Sequence, residues 1–342
     1  MNPLSVTPVE GYFIMTDDDL LFEVKGVIHP KDRFIAYLRY VQDKHGDRQS
    51  RSGTRFRKVY NLKERDEILR RGHPQYLWLD ENRGRQFQAV PKDRVSFVLS
   101  PIDGLQQLLD MGSHITPLER ASRALAELLV DKAGIEWSDI GLTGSQLVGL
   151  STEKSDIDLV VYGSESARRI HSLLTNKFDS LPGIERYHGI RLKRHVKFRW
   201  DKHDQWERAL KKIESQKALQ GLFRSYDFFI RMVKLPGEME HKYEDLIIRD
   251  KGIQTVECLV IDDTDSIFTP CTYTVESDMT SLQRLVSFRG RFTEHVFAGE
   301  SVEARGRMET VTNVNTHESF TQLVLGEDPL DYLMPIHAIQ NS

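Results

Sequence analysis

GLTGSQLVGLSTEKSDIDLVVYG, residues 141–163, is the stretch on which the fold turns. It carries the pair Gly144-Ser145; after ten residues comes Asp156-Ile157-Asp158-Leu159, running into Val160-Val161-Tyr162. The apolar, β-branched run predicts a strand. Side chains on a strand alternate between faces, so Asp156 and Asp158 point the same way. Two like charges side by side repel, and burying them unpaired is costly. A divalent cation removes both difficulties. Mg²⁺, or Mn²⁺ in its place, suits the pair, because Mg²⁺ takes oxygen ligands from one or two carboxylates plus substrate phosphates.

Gly144 and Ser145 supply the other half of the chemistry. A glycine at a strand-to-helix turn lets backbone come close to a ligand. The helix expected after it would offer free N–H groups and a favourable dipole to phosphate oxygens, and the serine hydroxyl can bond a terminal phosphate. A phosphate cradle beside metal-binding carboxylates is what phosphoryl or nucleotidyl transfer requires. Each feature alone is ordinary. An Asp-x-Asp on a strand can be a solvent-facing edge pair, and Gly-Ser occurs in any turn. Their order and spacing set them apart.

GSQLVGLSTEKSDIDLVVYG, residues 144–163, resembles the signature of the DNA polymerase β-type nucleotidyltransferase superfamily: Gly-Ser, a spacer, then Asp-hydrophobic-Asp-hydrophobic. Gly149 and Ser155 fit the same pattern. More loosely, the chain resembles uncharacterised archaeal-type predicted nucleotidyltransferases. The resemblance implies that Gly144 and Ser145 hold a nucleoside triphosphate and that Asp156 and Asp158 bind metal. It also implies a third carboxylate on a later strand. Asp227, entering the apolar run Tyr226–Val233, is the candidate for that ligand and for the base that activates an acceptor hydroxyl; the alternative is a plain strand-entry residue. In this family two cations stabilise the incoming and leaving oxygens of an in-line displacement.

The bulk composition agrees with a soluble, multidomain chain. It has 342 residues, 39% apolar and 29% charged, with a net charge of −4, so no overall basicity advertises nucleic acid. Two cysteines, Cys258 and Cys271, make neither a zinc pattern nor a disulfide framework, which suits a reducing cytoplasm. No run of 18 apolar residues is present, and no membrane association is expected. A lysine-bearing G-x-x-x-x-G-K-[ST] loop is missing, which argues against P-loop chemistry.

The fold class expected is α+β, in three parts. Residues 1–100 read as a β-rich domain. Strands are expected at Tyr12–Met15, Leu20–Ile28 and Phe34–Val41, with a turn at Asp17–Asp19, a helix over Leu62–Arg71 and further strands to Leu99. The stretch 47–58, with Arg48, Arg51, Arg55, Arg57 and Lys58, is either a nucleic-acid-binding loop or a solvated hairpin. Residues 101–236 read as the nucleotidyltransferase α/β domain. Thr116 caps a helix there, Pro117 opens it, Glu119 completes a capping box and Gly134 ends it. Positive charge is densest over 186–212, where Arg191, Lys193, Arg194, Lys197 and Arg199 are candidate phosphate or nucleic-acid contacts; Arg224 and Arg231 are further candidates. Residues 237–342 read as five short strands forming a small β-barrel, with the oligonucleotide-binding type as one form it can take. Ser287–Phe292 mixes arginines and aromatics in a way that suits stacking or a barrel core. Asp262, Asp263 and Asp265 read as a turn.

The expected activity is Mg²⁺-dependent transfer of a nucleoside monophosphate from a triphosphate to a hydroxyl acceptor, RNA or another nucleic acid first, with pyrophosphate released. The alternative is a catalytically inert nucleotidyltransferase fold that binds nucleic acid or senses nucleotides.

Overall fold

The computed structural model describes residues 7–112, 115–277 and 281–340. In chain order the N-terminal elements are β1 (Phe13–Thr16), β2 (Leu21–Val24), β3 (Arg33–Gln42), β4 (Arg48–Gln49), β5 (Arg55–Lys58), α1 (Leu62–Gly72), β6 (Leu77–Asp80), β7 (Arg85–Pro91) and β8 (Val95–Leu99). The central elements are α2 (Pro101–Asp110), α3 (Pro117–Ala133), β9 (Ile140–Leu142), α4 (Gly144–Leu147), β10 (Ile157–Tyr162), α5 (Ser164–Lys177), β11 (Ile184–Glu185), α6 (Gly189–Arg199), α7 (Glu207–Gln216), β12 (Gln220–Phe223) and β13 (Tyr226–Val233). Then follow β14 (Leu246–Asp262), β15 (Cys271–Glu276), β16 (Leu282–Ser287), β17 (Ser301–Asn313), β18 (Ser319–Leu325), β19 (Tyr332–Pro335) and α8 (Ile336–Gln340). No helix is long and apolar enough to cross a membrane, among the described residues.

The chain divides into two compact units, and neither is one continuous piece of sequence. The first holds residues 1–81, 85–170 and 223–243; the second holds 82–84, 171–222 and 244–342. These cuts fall at other positions than 100 and 236.

In the first unit, β4, β5, β3, β2, β1 and β8 form a sheet in that order, with β7 also paired to β3 and β6 to β7. β9, β10 and β13 form a second sheet, in which β10 runs antiparallel to β9 and parallel to β13. The faces of β10 alternate. Ile157, Leu159 and Val161 are fully buried on one side, packed on the same side as Phe228, Ile230 and Met232 of β13. Val160, Tyr162 and Val233 fall on the opposite side and join the core of the N-terminal sheet, with Val9, Tyr12, Ile14 and Phe22. This second face is also stitched by polar contacts. Thr143 Oγ1 donates to the Gly11 carbonyl at 2.6 Å, and the Tyr162 hydroxyl donates to the Glu10 carbonyl at 3.0 Å. The N-terminal sheet therefore lies over β10, the strand that carries Asp158.

The helix signals act as their chemistry requires. The Thr116–Glu119 capping box is present, and Gly134 closes α3 in the left-handed conformation at φ +63°. The helix expected after Gly144 is only a single turn. Gly149, at φ +67°, and the bond from Leu150 N–H to the Ser145 carbonyl turn the chain back before a second turn can form. Asp17–Asp19 is a turn, as expected; Asp18 accepts from Thr16 and Tyr76.

In the second unit the long strand β14 pairs with β15, β15 with β16, β16 with β18, β18 with β17, and β17 again with β14. The pairing thus returns to its starting strand. β16 and β18 are parallel, and the other pairs in this circuit are antiparallel. Tyr273, Leu285, Ala304 and Leu323 point into a core that also takes Val196 of α6, Trp200 and Leu210 of α7. Two features differ from the five-strand expectation. The apolar pattern predicts the first of these strands over Val256–Ile261, whereas β14 starts at Leu246, and β19 is an additional strand.

Candidate active site

β10 and the turn at Gly144 meet at a closest approach that only glycine permits. Gly144 sits at φ +66°, and a Cβ there would overlap Asp158 Oδ2 and lie 3.0 Å from its Cγ. Backbone pairing holds this contact in place, because Thr143 N–H donates to the Asp158 carbonyl at 2.9 Å. Ser122 of α3 and Gln146 of α4 bond each other and fix the turn from behind. Ser145 is only 5% exposed. Among the described residues its hydroxyl makes no hydrogen bond, which leaves a donor for a ligand oxygen.

Asp158 is half-buried on β10, and Asp156, exposed, lies just before the strand begins. The register Asp158↔Phe229 puts Asp227, two residues before Phe229 on the adjoining parallel strand, on the face of Asp158. Asp227 is exposed. Gly144, Ser145, Asp156, Asp158 and Asp227 thus all border one end of the β9–β10–β13 sheet. No group of three carboxylate, imidazole or thiol side chains forms a ready-made metal cage among the described residues. The donor set instead fits a cation that draws its remaining ligands from substrate phosphate and water, the habit of Mg²⁺.

Burial raises the Asp158 carboxyl from its ordinary value, opposed by the positive charges of Arg231 and Lys58. No side-chain hydrogen bond or ion pair of Asp158 is found among the described residues. Positive charge thus reaches Asp158 without a direct partner, which leaves its oxygens open to a metal ion.

Arg231, expected as a phosphate contact, is engaged elsewhere. Its Nη1 lies 2.6 Å from Glu10 Oε1 and 3.0 Å from Glu23 Oε1. Lys25 bridges the same two carboxylates at 2.9 and 2.7 Å, and Arg39 reaches Glu23 at 2.9 Å. Although burial pushes the other way, Lys25, Arg39 and Arg231 hold Glu23 well below its ordinary pKa. Arg224, at φ +48° in the β12–β13 turn, is exposed.

The basic stretch 47–58 folds inward more than its charge suggests. Arg48 Nη1 donates to the Leu150 carbonyl at 3.3 Å, to Thr152 Oγ1 at 3.4 Å and to Ser155 Oγ at 3.2 Å. It therefore pins the spacer between the Gly-Ser pair and the aspartates. Arg51 pairs with Glu119, and Arg57 with Glu64 and Asp43. Sequence reasoning singled out this stretch but missed its role as a clamp, because about a hundred residues separate Arg48 from the spacer it grips.

Arg191, Lys193, Arg194, Lys197 and Arg199 fall on α6, in the second unit. Val196 turns into that unit's core, while Arg191, Lys193, Arg194 and Lys197 are exposed and Arg199 is half-buried. Phe198 is 82% exposed among them. In Ser287–Phe292, Phe292 is core, Phe288 is exposed, and Arg291 stacks 4.7 Å over the Trp200 ring.

Comparison with known proteins bears on this site directly. Residues 123–235 match the model of the nucleotidyltransferase domain family, which spans Gly144, Ser145, Asp156, Asp158 and Asp227. The resemblance read from residues 144–163 is therefore supported by a match that extends beyond that stretch. The chain is also similar over most of its length to an uncharacterized protein of Methanocaldococcus jannaschii. The two are 28% identical over 325 residues, covering 92% of this chain and 94% of that protein. No solved structure gives a significant match.

Proposed function

We propose that this chain is a Mg²⁺-dependent nucleotidyltransferase, moving a nucleoside monophosphate from a triphosphate to a hydroxyl acceptor. The observation that carries this reading is the abutment of Gly144 on Asp158, with Asp227 on the same face of the adjoining strand. A phosphate tail at the glycine turn would then lie against the carboxylates. Asp156 and Asp158 would hold the divalent ion, with Asp227 as third ligand. The ion, when bound, neutralises charge developing on the phosphate oxygens. The acceptor oxygen forms a bond to the α-phosphorus as the α–β bridging bond breaks, and pyrophosphate carries away that electron pair. Asp227 takes the hydroxyl proton. Most of the acceleration would come from positioning and fixed charge.

The acceptor favoured is nucleic acid, RNA first. Exposed cations around the exposed Phe198 ring on α6 offer backbone attraction with a stacking surface. The circuit β14–β15–β16–β18–β17–β14 supports a small closed barrel of oligonucleotide-binding type. Both cysteines are free and buried, in keeping with a cytoplasmic protein.

The test is incubation of the purified protein with each labelled nucleoside triphosphate, Mg²⁺ or Mn²⁺, and RNA, DNA or protein fractions. Labelled RNA is the expected product. The double variant Asp156→Ala with Asp158→Ala should lower incorporation on the order of a thousandfold, with its fold intact. If the wild type labels no fraction with any triphosphate, the proposal fails, and an inert, binding fold takes its place.

A further inference from the structure

Resting on the nucleotidyltransferase reading, a further residue of the site comes from the N-terminal sheet. Lys58 ends β5, where it stands opposite Tyr40 of β3. Residues directly opposite in an antiparallel pair share a face, as do positions two apart on one strand. Lys58, Tyr40 and Phe56 therefore share one face. Tyr40 and Phe56 pack against Leu150, with Leu147 and Val148 alongside, which is the turn that follows Gly144-Ser145. That face of the sheet is thus the wall over the phosphate turn.

The charges on this wall are unevenly committed. Lys25, Arg39 and Arg231 are paired to Glu10 and Glu23, and Arg48 is bonded to the spacer. Two carboxylates against three cations already leave positive charge in excess. Lys58 is half-buried, and its Nζ lies 5.0 Å from the Tyr60 ring centroid. Among the described residues no carboxylate lies within ion-pair distance of it. Burial and the nearby Arg39 lower its pKa, while Asp158 acts in the opposite sense, so the ammonium and that carboxylate feel one another's charge. A triphosphate carries more negative charge than one divalent ion can neutralise, and a lysine is a point charge suited to non-bridging phosphate oxygens.

We infer that Lys58 is a substrate-binding residue that contacts the phosphate tail of the nucleotide held between Gly144 and Asp158. It is the uncommitted cation on the wall facing that turn. The N-terminal sheet would then be part of the nucleotide site rather than an appended module.

Calorimetry on the full chain tests this, with Mg²⁺ and two kinds of probe: inorganic tripolyphosphate, and each ribonucleoside triphosphate beside its monophosphate. Lys58→Met should weaken tripolyphosphate and triphosphate binding by about ten- to a hundredfold. It should weaken monophosphate binding much less, a graded loss that general loosening of the fold would not produce. Lys58→Arg should stay within about threefold of wild type. Lys58→Gln serves if the methionine variant does not fold. Should a neutral variant bind tripolyphosphate as tightly as wild type, or lose mono- and triphosphate affinity equally, Lys58 has no such role while the transferase reading stands. If the wild type binds no triphosphate at all, the transferase reading falls and takes this inference with it.

Discussion

Gly144 and Asp158 compete for the same space, so the smallest possible side-chain addition is the sharpest probe of the site. Gly144→Ala forces a residue with a Cβ into φ +66° and drives that Cβ onto the Asp158 carboxylate. The left-handed conformation alone costs an L-residue about 1–2 kcal/mol. We expect chemical denaturation to register a loss of about that size, while nucleotide incorporation falls more than a hundredfold because carboxylate and turn can no longer meet. An alanine variant with wild-type incorporation would mean that the contact does not belong to the chemistry. At this scale much was legible. Gly144, Ser145 and Asp158 lie close in sequence, so the short spacer suffices to bring the turn against the strand, while Asp156 falls just before β10 rather than on it. Asp227 was reached only through the resemblance, which implies a third carboxylate on a later strand; β13 places it beside β10. Arg48 and Lys58 were legible as charges but not as neighbours of the turn, since nothing local reveals which strand covers which face. Arg231 illustrates the reverse. Its charge suggested a ligand contact, and the carboxylates that engage it, Glu10 and Glu23, lie at the other end of the sequence.

Among the elements, amphipathic helices with good caps were read closely, and strands were read where apolar residues alternate cleanly. β14 departs from that rule. Arg249, Asp250, Lys251 and Gly252 are exposed on it and interrupt the pattern, so the charged stretch 238–250, whose end belongs to β14, reads as irregular or briefly helical. Its pairing with β17 is what makes it a strand. The short segment between β16 and β17 contains His295, 1% exposed, its ring 5.0 Å from Trp200 and its backbone N–H bonded to the Tyr273 hydroxyl. Burial pushes this imidazole down to about 3 from an ordinary 6.5. The unfolded chain therefore takes up a proton below about 6.5 that the folded chain refuses until about 3. Stability is lost as pH falls through that window, and this one group contributes at most about 1.4 kcal/mol per pH unit. Urea titrations at a series of pH values should show the slope in the wild type and a shallower one in His295→Phe. Identical slopes would mean that the ring is solvated, or that it titrates normally.

For the molecule as a whole, composition suggested three consecutive domains, while the compact units interleave along the chain. The stretch 101–236 looks self-sufficient in sequence, because it holds the motif and its flanking helices. Its strand β10, however, presents Val160 and Tyr162, and β13 presents Val233, to a core shared with Tyr12, Ile14 and Phe22. Uncovering that face leaves an apolar surface with no partner. We therefore expect the isolated fragment 101–236 to aggregate, or to bind a hydrophobic dye with little near-ultraviolet circular dichroism, whereas the full chain unfolds cooperatively. A fragment with a sharp, cooperative melt would mean that the N-terminal sheet is dispensable to the fold.

The discontinuity has a consequence for synthesis on the ribosome. Residues up to Leu99 emerge early, yet the surface they must cover is finished only when β13 leaves the exit tunnel, after Val233. For the interval between, the nascent N-terminal sheet presents greasy residues to solvent, and a translational pause before β13 would lengthen that exposure. Chaperone demand should therefore peak in mid-translation and subside once β13 is outside the tunnel.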